Sequence, residues 1–346
     1  MTEKRIILLT DYRGYFYSSV RYKDANMDIL LLKKSFAEEG YDLIIHKFAE
    51  VDFRSHNFSR EFILYQSSED RDLFYKSYIE DILLGLQLQG AILIPDFHFF
   101  RAHHNKAFME ILRDLSGNDG IKNLHSKTFG TFEEFSEALR CFGLPAVMKP
   151  SSGATSKGVK LVRNYDEGRR YARKLSRSLY PIDALKNFVK CYVRKPYFRK
   201  SNYRRKFIIQ NYIPNLGNDY KILIYGKKYY VLHRQTRPKD FRASGSGLFK
   251  YVENLPEGLL DFAENVFNSF RTPYISLDIG SNDKEFFLFE FQFVHFGTYT
   301  IEKSPFYFSR KNSAWAATYK ESVLERELAK SVVSYINGLL GSQWNS

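Results

Sequence analysis

Two stretches of the chain carry side chains whose types and spacing could do chemistry. In the first, the apolar run Leu144 to Met148 reads as a buried strand that delivers Lys149 into a loop of small residues ending at Gly158. Val159 to Val162 reads as the returning strand. One fixed ammonium beside many exposed backbone N–H groups is a cradle for phosphate. The loop lacks Gly-x-x-x-x-Gly-Lys-[Ser/Thr] and opens no clear helix, which excludes a Walker A loop and a dinucleotide fingerprint. A plain Ser/Gly-rich hairpin connection would satisfy the same residues, so partners elsewhere must decide. The second stretch contains Asp278, Glu290 and Gln292. Glu290 and Gln292, two apart on a strand, share a face. Asp278 joins them if it pairs with Phe286, Leu288 or Glu290, and an odd-length loop such as Asn282 to Lys284 gives that register. Carboxylates between Phe287, Phe289 and Phe291 need a compensating cation, and magnesium is a hard ion that prefers oxygen ligands. An amphipathic hairpin with a solvated polar side is the alternative.

Elements that would position these groups are legible along the chain. Arg5 to Thr10 reads as a buried strand, Met27 to Phe36 as a helix stopped by Gly40, and Tyr41 to His46 as a second strand. A helix over Asp70 to Leu88 and a strand over Ala91 to Pro95 follow, so a parallel sheet is expected, with ligand contacts beyond strand ends at Asp11 to Tyr17 and Asp96 to Arg101. A helix from Asn105-Lys106 runs through Leu115, and a capping box at Thr131 and Glu134 starts another that runs to Cys141. After the cradle hairpin a long charged helical region reaches about Val193. Strands are expected over Phe207 to Ile213, Tyr220 to Tyr225 and Lys228 to Leu232, with Gly226-Lys227 as a tight turn. A helix over Leu255 to Phe270, strands over Tyr274 to Ile279 and Glu285 to Phe293, and a closing helix over Ala317 to Leu340 complete the pattern.

The chain of 346 residues, 44% hydrophobic and 26% charged, is globular in composition and long enough for two or three units. Cys141 and Cys191 cannot form a disulfide framework or a four-ligand zinc site alone. The first apolar run is too short for a secretory segment and none approaches a membrane span, so a cytoplasmic protein is expected. A net charge of +13, concentrated between Lys186 and Lys206 among tyrosines and Phe198, points to an anionic partner, to nucleic acid, or to a solvated face. His98, His103 and His104 read as caps or surface groups rather than a metal site, and His295 has no assigned role.

An ordered set of elements between about residues 100 and 295 resembles the ATP-grasp family, and within it the branch of the ribosomal-protein glutamate ligase and related carboxylate-amine ligases. The set is Asn105-Lys106, Val147-Met148-Lys149-Pro150, Ile209-Gln210-Asn211-Tyr212-Ile213, Asp219-Tyr220-Lys221 with the Gly226 turn, Phe241-Arg242-Ala243-Ser244 through Gly247, and Asp278 with Glu290-Phe291-Gln292. The resemblance implies a three-part α/β and α+β ATP-grasp architecture: a Rossmann-like segment 1–120, a small central α/β segment 121–206, and a C-terminal antiparallel sheet with helices over 207–346. It implies that Lys106 and Lys149, from different subdomains, hold nucleotide phosphates with Ser152, Gly153 and Ser156 of the loop. Gln210, Asn211, Tyr212 and Ile213 would serve adenine, Asp219 ribose, and Arg242 and Ser244 phosphate. Asp278, Glu290 and Gln292 would hold magnesium, or manganese in its place. This sequence departs from the family at Asn211, at Lys221, which keeps the charge of an arginine but loses its planar fork, and at Gln292, which keeps an amide oxygen.

The implied reaction is amide or peptide bond formation: a carboxylate attacks the terminal phosphate of ATP, and an amine displaces phosphate from the acyl phosphate. Lys149, Arg242, Arg234 and Lys221 are the expected catalytic cations, and the 151–158 loop is expected to close over the site. Expected partners are a small or polymer-attached anionic carboxylate and an amine, rather than nucleic acid; an oligomer is compatible. The competing readings are a kinase of the same fold that phosphorylates a hydroxyl, and a non-catalytic binder of nucleic acid or another anionic polymer built on the 186–206 patch.

Overall fold

A computed structural model describes residues 4–16, 27–138, 142–153, 158–178, 180–194, 198, 200–216, 218–235, 248–282 and 284–343. The chain gathers into two compact units, one of residues 1–103, 116–118 and 216–346, the other of residues 104–115 and 119–215.

The first unit opens with β1 (Arg5–Thr10), α1 (Ile29–Glu38), β2 (Asp42–Lys47), β3 (Phe62–Leu64), α2 (Phe74–Leu88), β4 (Ile92–Ile94) and α3 (Phe97–Ala102). The strands form the expected parallel sheet in the order β2-β1-β3-β4. β1 is apolar on both faces because both are covered: Ile6 and Leu8 enter one core, Ile7 and Leu9 another. α1 starts where Asp28 accepts from the N–H groups of Leu30 and Leu31 at 3.0 Å each. The helix expected from Asp70 begins only at Phe74, because a 3-10 turn over Arg71–Leu73 precedes it, with Asp72 and Leu73 at φ 64° and 59°. β3 is too short to show a period in the sequence.

The second unit contains α4 (Lys106–Leu115), β5 (Ser126–Phe129), α5 (Phe132–Ala138), β6 (Ala146–Pro150), β7 (Lys160–Val162), α6 (Tyr165–Ser176), α7 (Pro181–Val193) and β8 (Phe207–Asn211). Its antiparallel sheet runs β5-β8-β6-β7, with Met148 opposite Lys160, so the cradle hairpin is as expected. Phe129, Phe135, Ala146, Met148, Val162 and Phe207 make its core. Thr131 and Glu134 form the anticipated capping box, with N–H to side-chain oxygen distances of 2.9 and 3.2 Å; the expected end of that helix at Cys141 lies outside the described residues. The long charged helix is two helices, α7 starting anew at Pro181.

The first unit resumes with β9 (Asn218–Tyr225), β10 (Lys228–Gln235), β11 (Phe249–Lys250), α8 (Leu259–Phe270), β12 (Tyr274–Ser281), β13 (Phe286–Gln292), α9 (Tyr299–Glu302), β14 (Phe306–Lys311), β15 (Ala314–Tyr319) and α10 (Leu324–Gln343). Six strands run β13-β12-β9-β10-β14-β15, and β11 also pairs with β10. The closing helix begins at Leu324 rather than Ala317, since Ala314–Tyr319 is a strand hydrogen-bonded to β14. Leu223, Tyr225 and Tyr274 from this sheet, Ile6 and Leu8 from β1, Leu32 and Phe36 from α1, and Val332 and Ile336 from α10 share one core. The segments 1–103 and 216–346, distant in sequence, are thus joined through a common interior. Among the described residues no helix is long and apolar enough to cross a membrane.

Candidate active site

In the larger unit, one face of the antiparallel sheet changes character along its strands. Leu223, Tyr225 and Tyr274 occupy its apolar end, in the core. Beyond them on the same face come Lys221 and Asp219 of β9, Ser276 and Asp278 of β12, Arg234 of β10, and Glu290 and Gln292 of β13. Cross-strand pairing fixes this grouping: Asp278 lies opposite both Lys221 and Glu290, Ser276 opposite Gln292, and Arg234 opposite Asp219.

The grouping of Asp278 with Glu290 depends on one irregularity. Ser281 pairs with Phe286, so the connection spans four residues, 282–285, rather than the expected three. An unbroken ladder from there would set Asp278 against Phe289 and turn Glu290 to the other face. Instead the register shifts between Asp278 and Ile279, Phe289 is the extra residue, and Glu290 falls opposite Asp278. Gly280 makes room for this, because a Cβ there would stand 2.2 Å from the Phe289 ring. On the opposite face Phe291 stacks on Phe270 of α8 with ring centroids 4.8 Å apart.

The charges on this face are paired. Arg234 Nε donates to Asp219 at 2.5 Å, and its Nη2 stands 3.0 Å from Asp278. Lys221 Nζ donates to Ser276 Oγ at 2.9 Å and lies 3.7 Å from Asp278. The cation that the sequence called for beside these carboxylates is therefore supplied in part by Arg234 and Lys221. Burial pushes Asp219 up to about 6 despite Arg234, and Asp278 adds to the rise. The Arg234 guanidinium is held charged, burial being outweighed by Asp278 and Asp219.

In the smaller unit, Lys149 at the end of β6 is 8% exposed. Its Nζ donates to Glu110 Oε1 at 3.0 Å and to Gln210 Oε1 at 3.3 Å. Glu110 Oε2 also accepts from Arg113 Nε at 3.0 Å and Ser126 Oγ at 2.9 Å. Burial would push Glu110 up, but Lys149 and Arg113 overcome it and hold its carboxyl at about 2. Burial pulls the Lys149 ammonium down, opposed by Glu110. The start of α4 is tied to the cradle: Lys106 N–H donates to the Ser151 carbonyl at 2.7 Å, and Ser151 Oγ and Lys206 Nζ both reach Asn105 Oδ1, at 3.4 and 2.7 Å. Lys106 and Lys149 belong to one compact unit, not to two.

Ser152 is exposed, and Gly153 sits at φ 117°, a conformation suited to glycine. On β8, Gln210 faces Lys149, the Asn211 N–H donates to the His125 carbonyl at 3.0 Å, and Tyr212 and Ile213 follow the strand, half-buried and buried. Asn211 Oδ1 is a buried acceptor without a hydrogen bond among the described residues. Ser156, Arg242 and Ser244 lie outside the described residues.

Sequence reasoning missed Glu110, Arg113 and Ser276. The signal for the first two was present: Glu110 and Arg113 lie three apart on the stripe of α4 that also buries Ala107, Met109 and Leu112. Among the histidines, His98 Nδ1 meets Asp96 Oδ1 at 2.6 Å at the start of α3, consistent with a satisfied surface group. His103 is buried rather than at the surface.

No protein-family model matches the sequence, and no curated protein matches it. Solved structures do resemble it over nearly the whole chain. D-cycloserine synthetase DcsG aligns at a TM-score of 0.56 and 12% identity over 95% of this chain and 99% of its own. D-alanine–D-alanine ligase from Bacillus anthracis aligns at 0.52 and 14% over 98% and 99%. The macrocyclase MdnC from Microcystis aeruginosa MRC, bound with precursor peptide MdnA, aligns at 0.51 and 14% over 95% and 99%. ATP-grasp ligase PsnB, complexed with a minimal precursor, aligns at 0.50 and 10% over 96% and 99%. The chain shares the fold of these structures, the ATP-grasp fold that the ordered motifs implied.

Proposed function

We propose that the protein is an ATP-dependent carboxylate-amine ligase that releases ADP and phosphate. The observation that carries this reading is the polar end of the β10-β9-β12-β13 face, where Asp278, Glu290 and Gln292 are brought onto one side of a sheet by a bulge. The fold supports it, since ATP-grasp neighbours include a ligase complexed with ATP and another complexed with Mg and ADP.

The donor set fits a hard divalent ion: two carboxylates and an amide oxygen, with no nitrogen or sulfur among the three. Asp278, Glu290 and Gln292 would hold magnesium, whose chemistry is to neutralise charge spread over phosphate oxygens. Lys149, fixed by Glu110 and Gln210, presents a phosphate with a cation whose place is set before binding, so little reorganisation is needed. Lys106 and the small residues 151–153 add a second ammonium and backbone donors. Asn211 Oδ1 offers an acceptor to the exocyclic amine of adenine. Arg234 holds Asp219 and Asp278 in position, which makes it a positioning residue. A substrate carboxylate attacks the terminal phosphorus, ADP leaves, and the amine displaces phosphate from the acyl phosphate; placement and electrostatics suffice without a nucleophilic side chain. The acceptor is proposed to be an anionic carboxylate, small or peptide-borne, as two neighbours were solved with precursor peptides.

Purified protein supplied with ATP, magnesium and panels of carboxylates and amines should release ADP and free phosphate in step with amide. Glu290→Ala and Lys149→Ala should each lower turnover at least a hundredfold. A stable phosphoester in place of free phosphate would identify a kinase instead, and release of AMP would refute the acyl-phosphate route.

A further inference from the structure

Within the smaller unit, α7 has an apolar side that its own unit does not bury. Ile182, Leu185, Val189 and Tyr192 recur three and four apart and so form one stripe, which Phe188 and Val193 widen. On a helix packed against a core these six side chains would be hidden. Here they are 48–77% exposed, and none of the described side chains of α7 is buried. The rings of Phe188 and Tyr192 lie against each other, centroids 5.2 Å apart, which keeps the apolar surface continuous. Tyr180 before the helix and Phe198 after it are exposed as well. A helix of 13 residues is marginal in water on its own hydrogen bonds, and a contiguous exposed apolar surface marks a place of association.

Charge narrows what associates there. Lys186, Lys190 and Arg194, each four residues from the next, follow the side of α7 away from the stripe. Between residues 186 and 206 the chain has nine Lys or Arg and no Asp or Glu, which selects an anionic occupant. A stripe on one convex helix is a ridge, whereas a bound peptide helix needs a groove. A second copy would set one basic segment against another. Nucleic acid offers phosphates to the lysines but no apolar surface to Ile182, Leu185 and Val189. An anionic bilayer surface suits both halves. The stripe enters the boundary between headgroups and acyl chains, tyrosine rings sit at headgroup level, and Lys and Arg stems reach outward to lipid phosphate. At about 1.5 Å per residue the helix is roughly 20 Å long, short of a hydrocarbon core of roughly 30 Å, so it lies in the surface and does not span it.

We infer that α7 is a peripheral docking helix for a bilayer containing anionic phospholipid. This assignment rests on α7 and its basic flank, and it stands whether or not the protein is a ligase.

The test mixes the full-length protein with vesicles of phosphatidylcholine alone, or of phosphatidylcholine and phosphatidylglycerol together, and separates bound from free by sedimentation. Affinity for the mixed vesicles should exceed that for the neutral ones at least tenfold and should fall as salt rises. Leu185→Gln combined with Tyr192→Gln should lower it at least tenfold, and so should Lys186→Gln combined with Arg194→Gln. All four side chains are exposed, so circular dichroism should show the fold retained. Tyr192→Trp supplies a reporter without removing the stripe: relative to the unsubstituted protein, its added emission should shift to the blue on mixed vesicles and be quenched by lipids brominated in the acyl chain. No binding to mixed vesicles, equal binding to neutral ones, binding indifferent to Leu185→Gln with Tyr192→Gln, or an unshifted Tyr192→Trp emission would overturn the assignment. A dimer dissolved by Leu185→Gln with Tyr192→Gln, or duplex DNA bound in preference to the vesicles, would overturn it too, by giving the face to another partner.

Discussion

Glu110 shows how a charge deep in a small unit can be kept. With Lys149 on one oxygen and Arg113 and Ser126 on the other, it is held ionised at about 2. Replacing it with Gln leaves two buried cations short of an anion, at a cost of about 3–5 kcal/mol near neutral pH. A carboxyl whose folded value lies below its ordinary 4.5 contributes fully above that pH and loses the contribution as pH falls toward 2. Urea midpoints of wild type and Glu110→Gln should therefore differ widely at neutral pH and converge in acid; a constant gap would refute this account. Asp219 runs the other way. Raised to about 6 by burial, it stays protonated in the folded protein where the unfolded chain has ionised, so its ionisation lowers stability from about pH 4 to 6. With the Asp219 anion accepting a ribose hydroxyl, ATP affinity should rise through about pH 6 as Asp219 loses its proton. Titration calorimetry at pH 5 and 7 should show this for wild type and a flat response for Asp219→Asn.

At the level of elements, the β12-β13 hairpin carries most of the candidate site, and its phase rests on Phe289 and Gly280. Gly280→Ala pushes a methyl into the Phe289 ring, which should cost about 1–3 kcal/mol. Adding Phe289→Leu should recover part of that loss, because the two positions meet directly; equal urea midpoints for the single and double variants would show that they do not. This hairpin also marks what could be read in advance. Alternation made Glu290 and Gln292 neighbours, and pairing arguments named Asp278 opposite Glu290 as one acceptable register. The bulge that achieves it was invisible, because no sequence rule says which of several phenylalanines a ladder will skip. The strand, small-residue loop and strand around Lys149 were legible from their apolar flanks. β5, with the sequence Ser-Lys-Thr-Phe, has too few apolar positions to show a period, and β3, Phe-Ile-Leu, is too short to show one. The split of α6 from α7 was written in Pro181 and was masked by the charge common to both helices.

For the whole molecule, composition bounded the class, and the ordered motifs implied the ATP-grasp fold that the solved structures share. Less legible was that 1–103 and 216–346 fold around one interior, since Ile6 sharing a core with Leu223, more than two hundred residues away, leaves no local mark. The net charge of +13 bears on function at this scale. An anionic-substrate enzyme should bind duplex DNA only weakly at physiological salt; tight binding with a steep salt dependence and no ATP turnover would favour the polymer-binding alternative. The central claim is that Lys149 in one unit and the Asp278, Glu290 and Gln292 set in the other both respond to ATP with magnesium. Hydrogen exchange with and without magnesium and ATP tests it most directly. The account predicts slowed exchange in β6 and in β12 and β13 together, with both effects abolished by Glu290→Ala. Protection confined to one of these regions, or persisting unchanged in the variant, would contradict it.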